Sequence, residues 1–85
     1  MSLGVVWQAR AEKDLGRLDP GVQRRVIAAV VAFAEFERGD IVRLQGVHPS
    51  EYRLRVGDWR VRFAIDREAR SLRVLRVLPR DRAYR

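Results

Sequence analysis

An α+β domain, with two helices packed on one face of a small antiparallel sheet, is the architecture this chain predicts. Three observations carry the prediction: a long helical stripe of apolar residues between Pro20 and Glu37, a sharply alternating hairpin between Glu51 and Asp66, and a final apolar run from Leu72 to Leu78. Taken in sequence, the segments give one strand, two helices and a three-strand meander. A chain of 85 residues has room for one sheet-and-helix core, so residues 1–85 are read as a single domain.

Val5, Val6 and Trp7 make Leu3 to Gln8 a short first strand. From Ala9 to Leu18 the apolar positions Ala11, Leu15 and Leu18 recur at helical spacing among charged residues, which predicts a short amphipathic helix weakened by Gly16. Asp19-Pro20 is a helix-start pair, an acidic N-cap followed by proline at the first helical position. The second helix runs to about Glu37 on a stripe of Val22, Val26, Ile27, Val30, Phe33 and Ala34, and Gly39-Asp40 is expected to end it. Val42, Leu44 and Val47 then lead through a loop with Gly46, His48 and Pro49.

In the hairpin Tyr52, Leu54 and Val56 alternate with Arg53 and Arg55, and Trp59, Val61, Phe63 and Ile65 alternate with Arg60 and Arg62. One face can therefore be buried while the other carries four guanidinium groups. Gly57-Asp58 suits a two-residue turn that needs positive φ. After a polar turn at Arg67–Ser71, the last strand has apolar residues at both parities, as expected of an interior strand covered on two sides. Pro79 ends it.

The 18 basic and 11 acidic side chains leave a formal charge of +7, an imbalance that suits a polyanion or an acidic protein. Like charges side by side on neighbouring strands repel, so the arginine face asks for an anionic partner. Only Lys13 is lysine among the basic residues, which a genome-wide codon bias explains as readily as a need for arginine's planar fork. The absence of cysteine excludes disulfides and thiolate chemistry, and a lone His48 excludes a histidine-rich metal site. No metal or organic cofactor is implied. The N-terminal apolar run is too short for a signal peptide and no segment approaches spanning length, so the chain is read as soluble and cytoplasmic, without a membrane partner.

KDLGRLDP near the start, LQG at Leu44–Gly46, YRLRVGDWRVRFAID at Tyr52–Asp66 and the ending LPRDRAY together resemble the RelE/ParE superfamily of type II toxin–antitoxin toxins. The resemblance covers almost the whole chain in order, and its fold agrees with the patterning. It implies one of two activities, and the ending with both Arg80 and Tyr84, which ParE-like proteins generally lack, favours the first, a metal-independent messenger RNA endonuclease. RelE-type members cleave messenger RNA in the ribosomal A site through the ribose 2′-hydroxyl, whereas ParE-type members act on DNA gyrase and are not nucleases. By resemblance to RelE-type enzymes, Arg53 and Arg55 match first-strand phosphate-binding residues, and Arg60 matches the stabiliser of the phosphate transition state. Arg80 matches a residue that binds phosphate and protonates the leaving group, and Tyr84 one that orients the substrate. Arg55, Arg60, Arg80 and Tyr84 are thus the catalytic candidates, with Arg53, Arg62 and Arg82 as RNA-binding ones. The implied partners are a cognate antitoxin in a hetero-oligomer, the ribosome with its message, and operator DNA reached only through the antitoxin.

Proton transfer is the open chemical question. Some relatives carry lysine on the first strand where this chain has arginine, a poor base with a pKa above about 12. Tyr84, His48 or Glu51 could serve instead. Plainer roles compete for several residues outside Arg60, Arg80 and Tyr84: His48 as a loop residue, Glu51 in an ion pair with a neighbouring arginine, Trp59 as partly buried core, and Arg62, Arg73 and Arg76 as a solvated face. A gyrase-directed toxin, or a degenerate one retaining only antitoxin binding, needs the same cationic surface without acid–base groups.

Overall fold

Apolar residues at the two periodicities sort into layers because each element can bury only one face. A computed structural model describes residues 2–44 and 51–82. The elements are β1 (Gly4–Trp7), α1 (Ala9–Gly16), α2 (Pro20–Phe36), β2 (Asp40–Arg43), β3 (Glu51–Val56), β4 (Trp59–Asp66) and β5 (Ser71–Pro79). The strands form one sheet in the order β1-β5-β4-β3-β2. This is the expected α+β arrangement with one strand more than the pattern assigns.

The added strand is β2, which pairs antiparallel with β3 from Asp40↔Arg55 to Arg43↔Tyr52. Its four residues, of which only Ile41 turns a half-buried apolar side chain to the core, are too few to give a periodic signal. The sheet is mixed and not antiparallel throughout as expected, since β1 runs parallel to β5 while the remaining pairs are antiparallel. Parallel pairing is possible because β1 and β5 are joined through all the intervening elements instead of a hairpin. The loop with Gly46, Val47, His48 and Pro49 lies outside the described residues.

Strand β5 sits inside the sheet, as its double parity suggests, but the parity has a second cause. Arg62 faces Arg76 while Phe63 faces Val74, so Leu75 is an extra residue at a bulge. The bulge switches the strand's register, and Leu72, Val74 and Val77 all reach the same core despite their different parity. Leu78 is left on the opposite face, across from Arg60.

Helix α2 covers the core face with Val26, Val30, Phe33 and Ala34, all buried against Leu54, Val61 and Phe63. The Phe33 and Phe63 rings meet at 5.1 Å, and Tyr52 stacks on Phe63 at 5.5 Å. Ile27, assigned to the buried stripe by its spacing, is 40% exposed. Asp19 is the N-cap and Pro20 opens the helix as expected, although the Asp19 side chain makes no capping hydrogen bond. The helix stops at Phe36, where Glu37 takes a left-handed φ of 52° and its N–H donates to the Phe33 carbonyl at 2.7 Å. Gly39 serves the next turn by what it lacks: a Cβ there would lie 2.7 Å from Leu54 Cδ1.

Helix α1 contributes Ala11 to the core and closes the free edge of β5 beyond the end of β1. The Gln8 N–H still donates to the Val74 carbonyl, and the Asp14 carboxylate then accepts the Val77 N–H at 2.9 Å. A side chain thus satisfies an edge amide that would otherwise be stranded. Among the described residues no helix is long and apolar enough to cross a membrane.

Candidate functional site

The hairpin creates the site by register. Tyr52, Leu54, Val61 and Phe63 turn to the helices, so their neighbours emerge on the open face. There Arg53 lies directly across from Arg62, and Arg55 across from Arg60. Gly57 takes φ 59° and allows the tight turn that aligns them. Opposed guanidiniums cost energy unless something offsets their repulsion, and the two pairs are held differently.

Arg60 is 9% exposed, and its Nη1 donates to the Gly57 carbonyl at 2.8 Å and the Trp59 carbonyl at 3.0 Å. Uncharged carbonyl oxygens hold the group in place without cancelling its charge. Arg55 pairs loosely with Asp40 at 3.7 Å, both side chains being largely exposed. Arg53, Arg55 and Arg60 line a cavity of about 180 Å³ with Asp40 and Val42. Three of the predicted residues are therefore brought together around one cavity.

Arg62 belongs to a second arrangement. Its Nη2 binds Glu51 Oε2 at 2.6 Å, which bears out the ion pair expected for Glu51, and its Nε is buried without a partner. With Arg76, Leu78 and Arg82 it borders a groove of about 330 Å³. Arg80 borders neither space. Its backbone N–H donates to the Asp58 carbonyl at 2.9 Å, which ties the C-terminal segment to the hairpin tip and leaves the side chain exposed. Tyr84, like His48, lies outside the described residues. Trp59 is partly buried against the core, as expected.

Arg76, read in the sequence as part of a solvated face, is a structural clamp. Its Nε and Nη2 bind the two oxygens of Asp14 at 2.8 and 3.2 Å. Burial pushes the Asp14 carboxyl up, but the hydrogen bonds from Arg76 and the Val77 N–H, with the charges of Arg76 and Arg17, outweigh it and hold the group below its ordinary value. The hydrogen bond to Asp14 raises Arg76 in turn. Asp40 is the other residue sequence reasoning missed as a site member. It reads as a helix stop, and only the pairing of β2 with β3 sets it beside Arg55.

The geometry can be compared with known proteins. The sequence model described as ParE toxin of type II toxin–antitoxin system, parDE, matches residues 5–84. Among solved structures, the chain is similar to one in the archaeal RelE–RelB complex from Pyrococcus horikoshii, with 25% identity and a TM-score of 0.80 over 96% of this chain and 99% of that one. It is similar to a chain of the RelBE2 toxin–antitoxin complex from Mycobacterium tuberculosis, with 29% identity and a TM-score of 0.65 over 94% and 100%. The RelB–RelE complex from Methanococcus jannaschii shares the fold at 22% identity, with a TM-score of 0.74 over 93% and 94%. No curated protein matches the sequence. Because the family match spans nearly the whole chain and the fold recurs in these complexes, the chain belongs to the ParE toxin family of type II toxin–antitoxin systems, within the RelE/ParE superfamily.

Proposed function

We propose that this toxin is a ribosome-dependent messenger RNA endonuclease, held inactive by a cognate antitoxin. The observation that carries the reading is the cavity of Arg53, Arg55 and Arg60, in which Arg60 is fixed by two backbone carbonyls. In-line attack by a ribose 2′-hydroxyl builds negative charge on phosphorus, and cations held in place beforehand stabilise that charge without reorganising. A phosphodiester entering the cavity meets Arg55 and Arg60 from adjacent strands, with Arg53 beside them. Arg80, at the hairpin tip, and Tyr84 complete the proposed site, with Arg62 and Arg82 guiding the flanking RNA. Solved relatives are complexes with RelB antitoxins, and an acidic or amphipathic antitoxin segment suits a partner of charge +7. The hetero-oligomer would meet operator DNA through the antitoxin.

A second reading has its own support, since the matching family description is that of ParE. On that reading the same cations form a binding face for gyrase and need no proton transfer. Primer extension on messages from cells briefly expressing the toxin separates the two, with gyrase-linked DNA breaks scored in the same samples. The nuclease gives translation-dependent cuts that fall by about 10²–10³-fold in Arg60→Ala, the loss typical of one fixed transition-state donor. Arg80→Ala should also lose the cuts while retaining antitoxin binding. Intact messages with gyrase-linked breaks would overturn the proposal.

A further inference from the structure

A 2′-hydroxyl must give up its proton as it attacks, and the cavity's guanidiniums cannot receive it because they stay protonated. The acceptor has to be a group that borders the same space. Glu51, the carboxylate the sequence offers, does not border it, and its Oε2 is engaged by Arg62 at 2.6 Å. Among the described residues, Asp40 is the carboxylate that borders it. It opens β2 directly across from Arg55, on the face where Val42 stands beside Arg53.

Its contacts suit the task. The Asp40 side chain is 64% exposed and its Oδ2 lies 3.7 Å from Arg55 Nη1, a loose surface pair that an incoming phosphodiester can displace at little cost. Its backbone is held more firmly than its side chain. Asp40 is tied into the sheet through β3, and the preceding Gly39 sits so close to buried Leu54 that a Cβ would approach Leu54 Cδ1 to 2.7 Å. The carboxylate is thus anchored at the rim of the cation cluster, facing Arg53 and Arg55 of β3 and Arg60 of β4.

We infer that Asp40 is the proton acceptor for the ribose 2′-hydroxyl, an inference that rests on the nuclease reading. The 2′-O–H proton passes to the carboxylate as the oxygen's electron pair forms the bond to phosphorus. The phosphorus–O5′ bond breaks, its electron pair leaves with the 5′-oxygen, and that oxygen takes a proton from water. Asp40 then releases its proton to solvent. The products are a 2′,3′-cyclic phosphate and a 5′-hydroxyl, and the step consumes no other reactant.

The test is single-turnover cleavage of a message on programmed ribosomes by the wild-type protein, Asp40→Asn, Asp40→Glu and Arg60→Ala, each first checked for folding by circular dichroism and for antitoxin binding. Asp40→Asn is expected to lower the maximal rate by about 10²–10⁴-fold. Half-saturation should stay unchanged or tighten, because the variant keeps the cations and removes their counter-charge. Asp40→Glu should recover the rate to within about tenfold of wild type, since it restores a carboxylate. An Asp40→Asn rate within about threefold of wild type, with Arg60→Ala inactive, would overturn the Asp40 assignment and leave the nuclease standing. Asp40→Glu as inactive as Asp40→Asn would overturn it too. A wild-type protein that cuts no message while gyrase is poisoned would remove the nuclease reading, and the inference with it.

Discussion

At the scale of single residues, the cations divide by what neutralises them. Arg62 and Arg76 stand opposite each other on β4 and β5, and each is drawn to a sheltered carboxylate, Glu51 or Asp14. Among the described residues Arg60 donates to two backbone carbonyl oxygens and Arg55 has a loose pair with Asp40, so neither charge is tightly matched by a carboxylate there. Asp14 carries the sharpest prediction at this scale. Removing it strands both the Arg76 guanidinium and the Val77 N–H, so Asp14→Ala is expected to cost about 3 kcal/mol in urea unfolding, the scale of a broken buried pair. The sign with pH follows from its depressed folded pKa. The Asp14 contribution is complete above the unfolded value of about 3.9 and is lost as pH falls through the lower folded one. Unfolding curves of wild type and variant should therefore converge on acidification below about pH 4. A stability gap unchanged down to about pH 2 would show that the charge contributes nothing.

At the scale of elements, the placement of the hairpin's arginines depends on its turn, because a one-residue slip would carry them to the core face. Gly57 has φ 59° and open space around the position a Cβ would take. Its replacement therefore meets backbone strain without a clash. Gly57→Ala should cost about 1–2 kcal/mol, and Gly57→Asn less, because asparagine tolerates the left-handed region. Equal stability of the alanine variant and wild type would contradict the strain account. Under the hairpin, Phe63 touches Phe33 and Tyr52 and is 1% exposed. Phe63→Ala should remove about 3–5 kcal/mol in the same assay, enough to unfold much of a small domain. Much of this layer was legible beforehand: alternation from Tyr52 to Ile65 located both strands, and Asp19-Pro20 located the start of α2. Alternation could not locate the bulge, because Leu75 fits either an interior strand or a register switch until β4 is laid beside it.

At the scale of the whole molecule, charge and topology act together. The formal +7 is spread over a domain with a Cα radius of gyration of 11.9 Å, so its field reaches beyond any one contact. For the proposed pairing with an acidic antitoxin segment, association should accordingly slow by roughly tenfold or more between about 20 and 300 mM salt, with dissociation changing little. Stopped-flow association rates check this, and rates independent of salt would count against electrostatic steering. The sheet order gives the field its shape. With β5 inside and β2 at an edge, cations from β3, β4 and β5 share one face while α2 covers the other.

The sequence by itself determined the α+β class, the start and buried stripe of α2, the paired strands of the arginine hairpin, and the interior position of β5. These are local properties, written in the spacing of apolar side chains and in turn residues such as Gly57 and Pro20. Tertiary structure alone decided the strand made by Asp40–Arg43, the parallel pairing of β1 with β5, and the division of the arginines between structural clamps and an open cavity. Asp14 meets Arg76 across 62 positions of sequence, and Asp40 meets Arg55 only through strand register. Such contacts depend on how distant segments are aligned, and periodicity within a segment carries no information about that alignment.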